Sequence, residues 1–309
     1  MRLLTTPLAA SFALLPLATS AAPPAVVTDI AVIAALAETV LGDLGQATVL
    51  LPPGADAHSY QLRPSQAAAL QSADLVFWVG EELTPWLGRT LAATAPKGKA
   101  VALFDAPETY RRAYGETSAH DEDHTAGAAH DGDDHEGIDP HAWLDPANAQ
   151  AWLAIIASEL AAADPANAAT YAANAKVGST RIAAIDADLS ARLSPLADLP
   201  FVVFHDAYGY FADHYGLTIA GALNQSDASA PGAAHLSELR ADLEAGGIVC
   251  AFPEVGHDPR QLSLVLHGTE VRAGAALDPT GGTLPTGVGL YEALLNDIAT
   301  KLSDCLEPR

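Results

Sequence analysis

Short apolar runs alternate with longer helical patterns along most of this chain. In the first half, runs of four to six residues cover 26–30, 48–51, 74–79 and 100–103. The second half repeats the pattern at 201–204, 217–222, 248–252 and 271–275. Such runs, separated by Ala- and Leu-rich helices, are typical of buried strands in βα repeats. Each half therefore predicts a parallel β-sheet flanked by helices on both faces, and the fold class is α/β with two lobes.

A stiff connection joins the two predicted lobes. A helical pattern over 146–163 is followed, after one Asp-Pro pair, by a second over 166–193. Both strongly favour helix apart from Gly178, and neither resembles a flexible Gly/Ser linker. A helical connector of this kind restricts large hinge motions. The predicted units are an N-terminal α/β lobe (22–164), a long, rigid linking helix (165–194) and a C-terminal α/β lobe (195–309).

The first 21 residues predict a cleaved signal peptide. Arg2 precedes an apolar stretch over 3–17, and residues 18–22 are small, as signal peptidase requires. This stretch is too short to span a bilayer comfortably. No cysteine lies near the cleavage region, so a lipid anchor is not expected. We expect a soluble periplasmic protein of about 288 residues.

The charge of the chain limits the kinds of partner that it can bind. The formal net charge is -23, which makes nucleic acid or an anionic membrane a poor partner and favours cations. Residues 116–139 hold nine carboxylates and four histidines without any Lys or Arg. We expect this acidic segment to be disordered and to collect metal ions, although a purely solvated tether is the alternative. Its histidines are His120, His124, His130 and His135.

Two cysteines, Cys250 and Cys305, are the only ones in the chain. In an oxidising compartment such a pair predicts a disulfide, with free thiols as the alternative. Metal ligation is less attractive because no CxxC or Cys/His spacing accompanies either residue. The bridge would close about 56 residues and stabilise the fold by about 4 kcal/mol.

Three histidines and one aspartate outside the acidic segment are candidate metal ligands. His58 and His205 follow predicted parallel strands, at the ends where open α/β sheets place their ligands. His141 precedes a helix near the lobe junction, and Asp278 follows the last strand. Each histidine alone is better explained as a capping or surface residue, but the set suits tetrahedral Zn²⁺ in a cleft between the lobes.

Several motifs together carry a family resemblance. The chain resembles the metal-binding solute-binding proteins of bacterial ABC importers, specifically the periplasmic zinc-importer type, over nearly its whole predicted mature length. The resemblance implies two α/β lobes joined by a long helix, with one metal ion between them. The motifs are Pro53-Gly54 with His58 and Tyr60-Gln61-Leu62-Arg63-Pro64, then Asp139-Pro140-His141-Ala142-Trp143-Leu144-Asp145-Pro146, then Phe204-His205-Asp206-Ala207-Tyr208-Gly209-Tyr210-Phe211, and Leu277-Asp278-Pro279.

The resemblance also indicates which metal is carried. Manganese and iron members of the family usually have a carboxylate where this chain has His205, so His205 indicates zinc. The acidic insertion and the cysteine pair are similar to those of zinc members. Some zinc members have a glutamate where this chain has Ala57, which cannot bind metal, so the fourth-ligand role goes to Asp278. The expected zinc ligands are His58, His141, His205 and Asp278.

Other polar residues receive smaller roles. Ligating imidazoles normally donate their second N–H to an oxygen, and Glu254 and the weaker candidate Asp206 are placed to accept it. We assign no primary role to the remaining histidines, and we expect His214 near a helix C-terminus, where the dipole favours imidazolium. The histidines without a role are His214, His235, His257 and His267.

These observations predict periplasmic capture of Zn(II) and delivery to an inner-membrane ABC permease. Zinc is then the transported ligand, acidification weakens its binding, and the protein is a monomer. A periplasmic zinc metallochaperone is a further candidate partner. The chain has no GxxxxGK[ST] for ATP hydrolysis. A zinc hydrolase is the leading alternative, although the chain lacks HExxH, and an adhesin or metallochaperone on the same fold is the second.

Overall fold

The computed structural model describes residues 22–94, 96–114, 137–224 and 232–307. The predicted signal peptide and the four histidines of the acidic segment lie outside these residues. The strands within them are β1 (Val26–Thr28), β2 (Ala47–Val49), β3 (Leu75–Trp78), β4 (Lys99–Ala102), β5 (Phe201–His205), β6 (Ile219–Asn224), β7 (Cys250–Phe252) and β8 (Arg272–Ala273). The helices are α1 (Ala31–Leu41), α2 (Pro64–Ser72), α3 (Pro85–Thr94), α4 (Pro146–Ala163), α5 (Ala168–Leu193), α6 (Gly209–Tyr215), α7 (Ala233–Ala245), α8 (Pro259–Leu266) and α9 (Leu290–Leu306).

In the described part of the chain, the strands form two parallel four-stranded sheets. Their orders are β2-β1-β3-β4 and β6-β5-β7-β8, so each sheet is built by βα crossovers. All residues of the central strands β3 and β5 are buried, as expected for strands covered by helices on both faces. The predicted α/β fold with two helix-flanked sheets is confirmed.

The helices α4 and α5 connect the first sheet to the second along the chain, and they pack against each other. Asp145 begins α4 by accepting a hydrogen bond from the amide of Ala147 at 2.8 Å, and Pro146 fills the first helical position. Gly178, the exception to the helix-favouring composition of this segment, is buried in α5 where that helix meets α1. A Cβ there would lie 2.5 Å from the methyl carbon of Thr39, so the close approach requires glycine.

A disulfide and a shared core hold the second sheet in place. Cys250 in β7 is bonded to Cys305 in α9 with an S–S distance of 2.07 Å, which confirms the predicted pairing. The main apolar core continues from the first sheet through α4 and α5 to β5 and α9, while a smaller cluster lies beneath α7 and α8. The exact domain boundaries stay a prediction.

No helix in the described ranges combines the length and the apolar character needed to cross a membrane.

Candidate metal centre

Two buried histidines face each other between the sheets. His141 precedes a single 3₁₀ turn (Ala142–Leu144) that leads into α4, and His205 is the last residue of β5. They are 3 % and 4 % exposed. Their Nε2 atoms lie 3.5 Å apart, and their ring centroids are separated by 5.2 Å.

A carboxylate orients each ring. Asp139 accepts from Nδ1 of His141 at 2.7 Å, and Glu254 accepts from Nδ1 of His205 at 2.6 Å. An ionised carboxylate accepts and cannot donate, so in the neutral form of each ring Nδ1 carries the proton and Nε2 carries a lone pair. Glu254 contacts His205 as expected, and the role of His205 as a metal ligand stays a prediction.

The spacing of the two Nε2 atoms matches a metal position. A tetrahedral zinc ion with Zn–N bonds of about 2.0 to 2.1 Å spaces two nitrogen ligands about 3.3 Å apart. The observed 3.5 Å lies close to this value. Two lone pairs directed at each other repel, whereas a cation between them satisfies both, so the pair is suited to bind a metal ion.

His58 lies on the loop between β2 and α2 and is partly exposed. The loop is held from two sides: Trp86 of α3 donates its indole N–H to the carbonyl of Ala57 at 2.7 Å, and the side chain of Gln66 donates to the carbonyl of Leu50. The amide of His58 also donates to Asp56 at 2.8 Å. The backbone that carries His58 is thus anchored to α2 and α3 of the first lobe.

Asp278 is buried within a loop that it organises itself. Its two oxygens accept from the amides and hydroxyls of Thr280 and Thr283 and from the amide of Gly282, at 2.8 to 3.3 Å. Burial raises the pKa of this carboxyl, but these hydrogen bonds outweigh burial and hold the pKa below its usual value. Asp278 is therefore a rigidly held anion.

The loops that carry His58 and Asp278 meet at the lobe interface. A Cβ on Gly282 would lie 3.8 Å from the amide nitrogen of Gly54, in the loop that carries His58. On the other side, Trp143 donates to the carbonyl of Pro279 at 2.8 Å, which docks the Asp278 loop against the turn that follows His141.

The structure brings two of the four predicted ligands together. In the ranges it describes, no three His, Cys, Asp or Glu side chains lie close enough together to hold a metal ion. Asp278 lies on the loop docked against the turn that follows His141, and His58 lies on the loop that contacts the Asp278 loop. The complete four-ligand set stays a prediction. Sequence reasoning did not identify Asp139 as the partner of His141, although the two-residue spacing was a usable signal.

Comparison with known proteins decides the family. A family model described as "zinc-uptake complex component A periplasmic" matches residues 26–305. The chain belongs to this ZnuA family. The high-affinity zinc uptake system protein ZnuA of Paracoccus denitrificans (strain Pd 1222) is 50% identical to the chain, with 92% of each covered. The protein of the same name from Brucella abortus (strain 2308) is 33% identical, with 91% of each covered.

Solved structures agree with the ZnuA family assignment. A crystal structure of ZnuA superposes with a TM-score of 0.75 at 25% identity and covers 92% of this chain and all of that one. The periplasmic zinc-binding protein TroA from Treponema pallidum has a TM-score of 0.77 at 21% identity and covers 93% of this chain, which shows a shared fold. The ZnuA family consists of periplasmic transport components and not of enzymes, which confirms the predicted class and removes the hydrolase alternative.

Proposed function

We propose that this protein captures Zn²⁺ in the periplasm and delivers it to an ABC permease in the inner membrane. One observation carries the proposal: two buried imidazoles with Nε2 atoms 3.5 Å apart, each oriented by a carboxylate at its other nitrogen. Neutral imidazole is a ligand that suits zinc, and a carboxylate behind it raises its basicity. Membership of the ZnuA family supports zinc as the cargo.

The proposed ligands are His58, His141, His205 and Asp278. The loop of Asp278 contacts the loop of His58 and docks against the turn that follows His141, which supports a shared site at the lobe interface. With Asp278 closing the fourth position, the site holds zinc without an open coordination position for activated water.

A competitive zinc titration of the metal-stripped mature protein tests this site. Wild type should bind one tight equivalent, and His205→Ala should lose it. His235→Ala should retain it because His235 bonds to the carbonyl of Ala222 and is not a proposed ligand. Asp278→Asn should weaken binding, and its melting temperature must be measured because Asp278 also organises its loop. Tight binding that survives His205→Ala would refute the site.

We further propose that the acidic segment gathers zinc at lower affinity for transfer to the tight site. Support comes from its composition, with imidazoles and carboxylates in alternation and no basic residue. Deletion of 119–136 should leave the tight equivalent intact and remove weaker ones in the same titration. Replacing only its four histidines by alanine, with the acids retained, separates imidazole binding from general attraction of cations. Unchanged stoichiometry in both variants would contradict the proposal.

Export and delivery complete the proposed function. We propose that residues 1–21 are removed on export and that the mature protein diffuses as a monomer to its permease. Mass spectrometry of the periplasmic protein should find cleavage near residue 21, and light scattering should give the mass of one chain. Zinc transport by the reconstituted permease and ATPase should require the loaded protein; transport that is unaffected by it would favour an adhesin or metallochaperone.

A further inference from the structure

A buried arginine lies between the two lobes beside the imidazole pair. Arg112 belongs to a short antiparallel pairing, which we call the stem, formed by residues 112–114 and 137–139. Its bonds are the amide of Asp139 to the carbonyl of Arg112 at 3.0 Å, the amide of Tyr114 to the carbonyl of Gly137 at 2.8 Å, and the bridge between Ala113 and Ile138. The Arg112 side chain is only 3 % exposed.

The guanidinium of Arg112 contacts carboxylates from both halves of the molecule. It donates through Nε to Asp213 of α6 at 2.9 Å and through Nη1 to Asp139 of the stem at 3.3 Å. Burial lowers the pKa of this guanidinium, but the charges of Asp213 and Asp139 outweigh burial and leave the pKa raised. The buried cation is therefore paired on each side of the interface.

The α6 helix is shaped to receive this side chain. Gly209, the first residue of α6, has no Cβ, and a Cβ at this position would overlap the guanidinium of Arg112. Tyr210 reinforces the contact, because its hydroxyl accepts from the amide of Arg112 at 3.0 Å and donates to the carbonyl of Asp139 at 2.8 Å. Thus two consecutive residues of α6 fit the stem.

These contacts connect the supports of both imidazoles. The carboxylate of Asp139 accepts from His141 with Oδ1 and from Arg112 with Oδ2, so Arg112 sets the orientation of the group that orients His141. On the other side, α6 follows β5, whose last residue is His205. Movement of Arg112 would therefore change both the angle of one imidazole and its distance from the other.

We propose that Arg112 is a positioning residue for zinc, which fixes the His141–His205 geometry by holding Asp139 and α6 together. This inference rests on the proposed metal site, since it assigns Arg112 a role only through His141 and His205. Arg112 is not proposed as a ligand, and its effect passes through Asp139 and α6. Its loss should alter the affinity and coordination geometry of bound metal in protein that is still folded.

The experiment compares Arg112→Met with Arg111→Met in the full mature chain. Arg111 is the matched control, because it is the adjacent arginine but bonds within the first lobe, to the carbonyl of Phe104 at 2.8 Å and to Asp105 at 3.4 Å. Removal of a group that supports a metal ligand typically costs 10- to 100-fold in affinity, and we expect Arg112→Met to weaken zinc binding about tenfold. Arg111→Met should bind zinc as wild type does.

A second readout separates positioning from stability. With Co²⁺ as the probe, Arg112→Met should shift the visible d–d absorption bands, which report coordination geometry, whereas Arg111→Met should not. Gly209→Ala tests the same contact without removing a charge and should reproduce the weaker binding and the altered spectrum. It also keeps the proposal testable if Arg112→Met does not fold.

A double-mutant cycle identifies the route of the effect. Arg112→Met should lower zinc affinity in both the wild-type and the Asp139→Asn background. In the Asp139→Asn background, the fold-loss should be less than half of the fold-loss in wild type, because Asp139 is the shared support. Wild-type zinc affinity and cobalt spectra in folded Arg112→Met and Gly209→Ala would overturn the proposal. Failure of the metal site itself is distinguishable, since His141→Ala would then bind zinc as tightly as wild type.

Discussion

Glu254 shows how much of the metal position is decided by side chains that do not reach the metal. Its Oε2 accepts from Nδ1 of His205 at 2.6 Å and from the hydroxyl of Tyr208 at 3.1 Å. Burial raises the pKa of this carboxyl, but hydrogen bonds from His205 and His257 outweigh burial and hold the pKa below its usual value. The carboxylate is thus ionised and fixes the ring of His205.

We predict that Glu254→Gln weakens zinc binding by about tenfold, because a neutral amide is a poorer acceptor for the imidazole N–H. Competitive titration of stripped protein measures the change. Glu244→Gln provides the control, since Glu244 lies exposed on α7 and pairs with Arg240 at 2.8 Å. Equal affinities for the two variants would show that Glu254 has no influence on the metal.

Sequence reasoning could select His205, His141 and Glu254 as candidates because each lies at the end of a recognisable strand or the start of a helix. It could not identify the role of Arg112, whose partners Tyr210 and Asp213 are 98 and 101 residues away. Long-range ion pairs leave no periodic pattern in a single sequence. They become visible only when the fold has placed the two segments together.

At the scale of elements, the strands were predictable because buried apolar runs between helices have few alternative structures. All eight occur, with ends shifted by no more than two residues. The loop over 278–283 was not predictable, because its conformation depends on five hydrogen bonds to one carboxylate. The short turn that aims His141 likewise depends on tertiary contacts of Trp143.

The bond between β7 and α9 gives a prediction about stability. The disulfide of Cys250 and Cys305 closes a loop with a sequence separation of 55. Replacing both cysteines by alanine should lower the free energy of unfolding by about 4 kcal/mol on the chain-entropy model. Zinc affinity of the folded variant should be unchanged, because Cys250 pairs with Phe201 at the opposite end of β5 from His205. Denaturant unfolding measures the loss, and a loss below about 1 kcal/mol would contradict a main role in stability.

At the scale of the whole molecule, one histidine joins three helices. His214 of α6 places Nδ1 3.0 Å from Asp145, the N-cap of α4, and Nε2 2.8 Å from Asp186 of α5. The ring of Tyr215 lies beside it, 4.8 Å between centroids. Burial lowers the pKa of this imidazole, but hydrogen bonds to Asp145 and Asp186 outweigh burial and raise the pKa above its usual value.

The raised pKa of His214 gives a pH dependence with a definite sign. Stability from the imidazolium is fully present below the unfolded-state pKa, near 6.5, and is lost as the pH rises through the higher folded-state pKa. His214→Gln should therefore destabilise metal-stripped protein by about 2 kcal/mol at pH 5.5 and by less at pH 8.5.

Denaturant unfolding at both pH values measures this difference, with His235→Gln as the control because His235 faces a backbone carbonyl. If His214→Gln lowers the free energy of unfolding equally at both pH values, the charge of His214 does not stabilise the fold.

The stem has a practical consequence for engineering. Because the amide of Tyr114 and the carbonyl of Gly137 are 2.8 Å apart, the two described ends that flank residues 115–136 lie next to each other. A fluorescent domain whose own termini are adjacent can therefore replace residues 115–136 without stretching either lobe. Since Asp139 lies just after that insertion point and accepts from Nδ1 of His141, we expect zinc binding to change the emission, and a zinc biosensor can be built at this position.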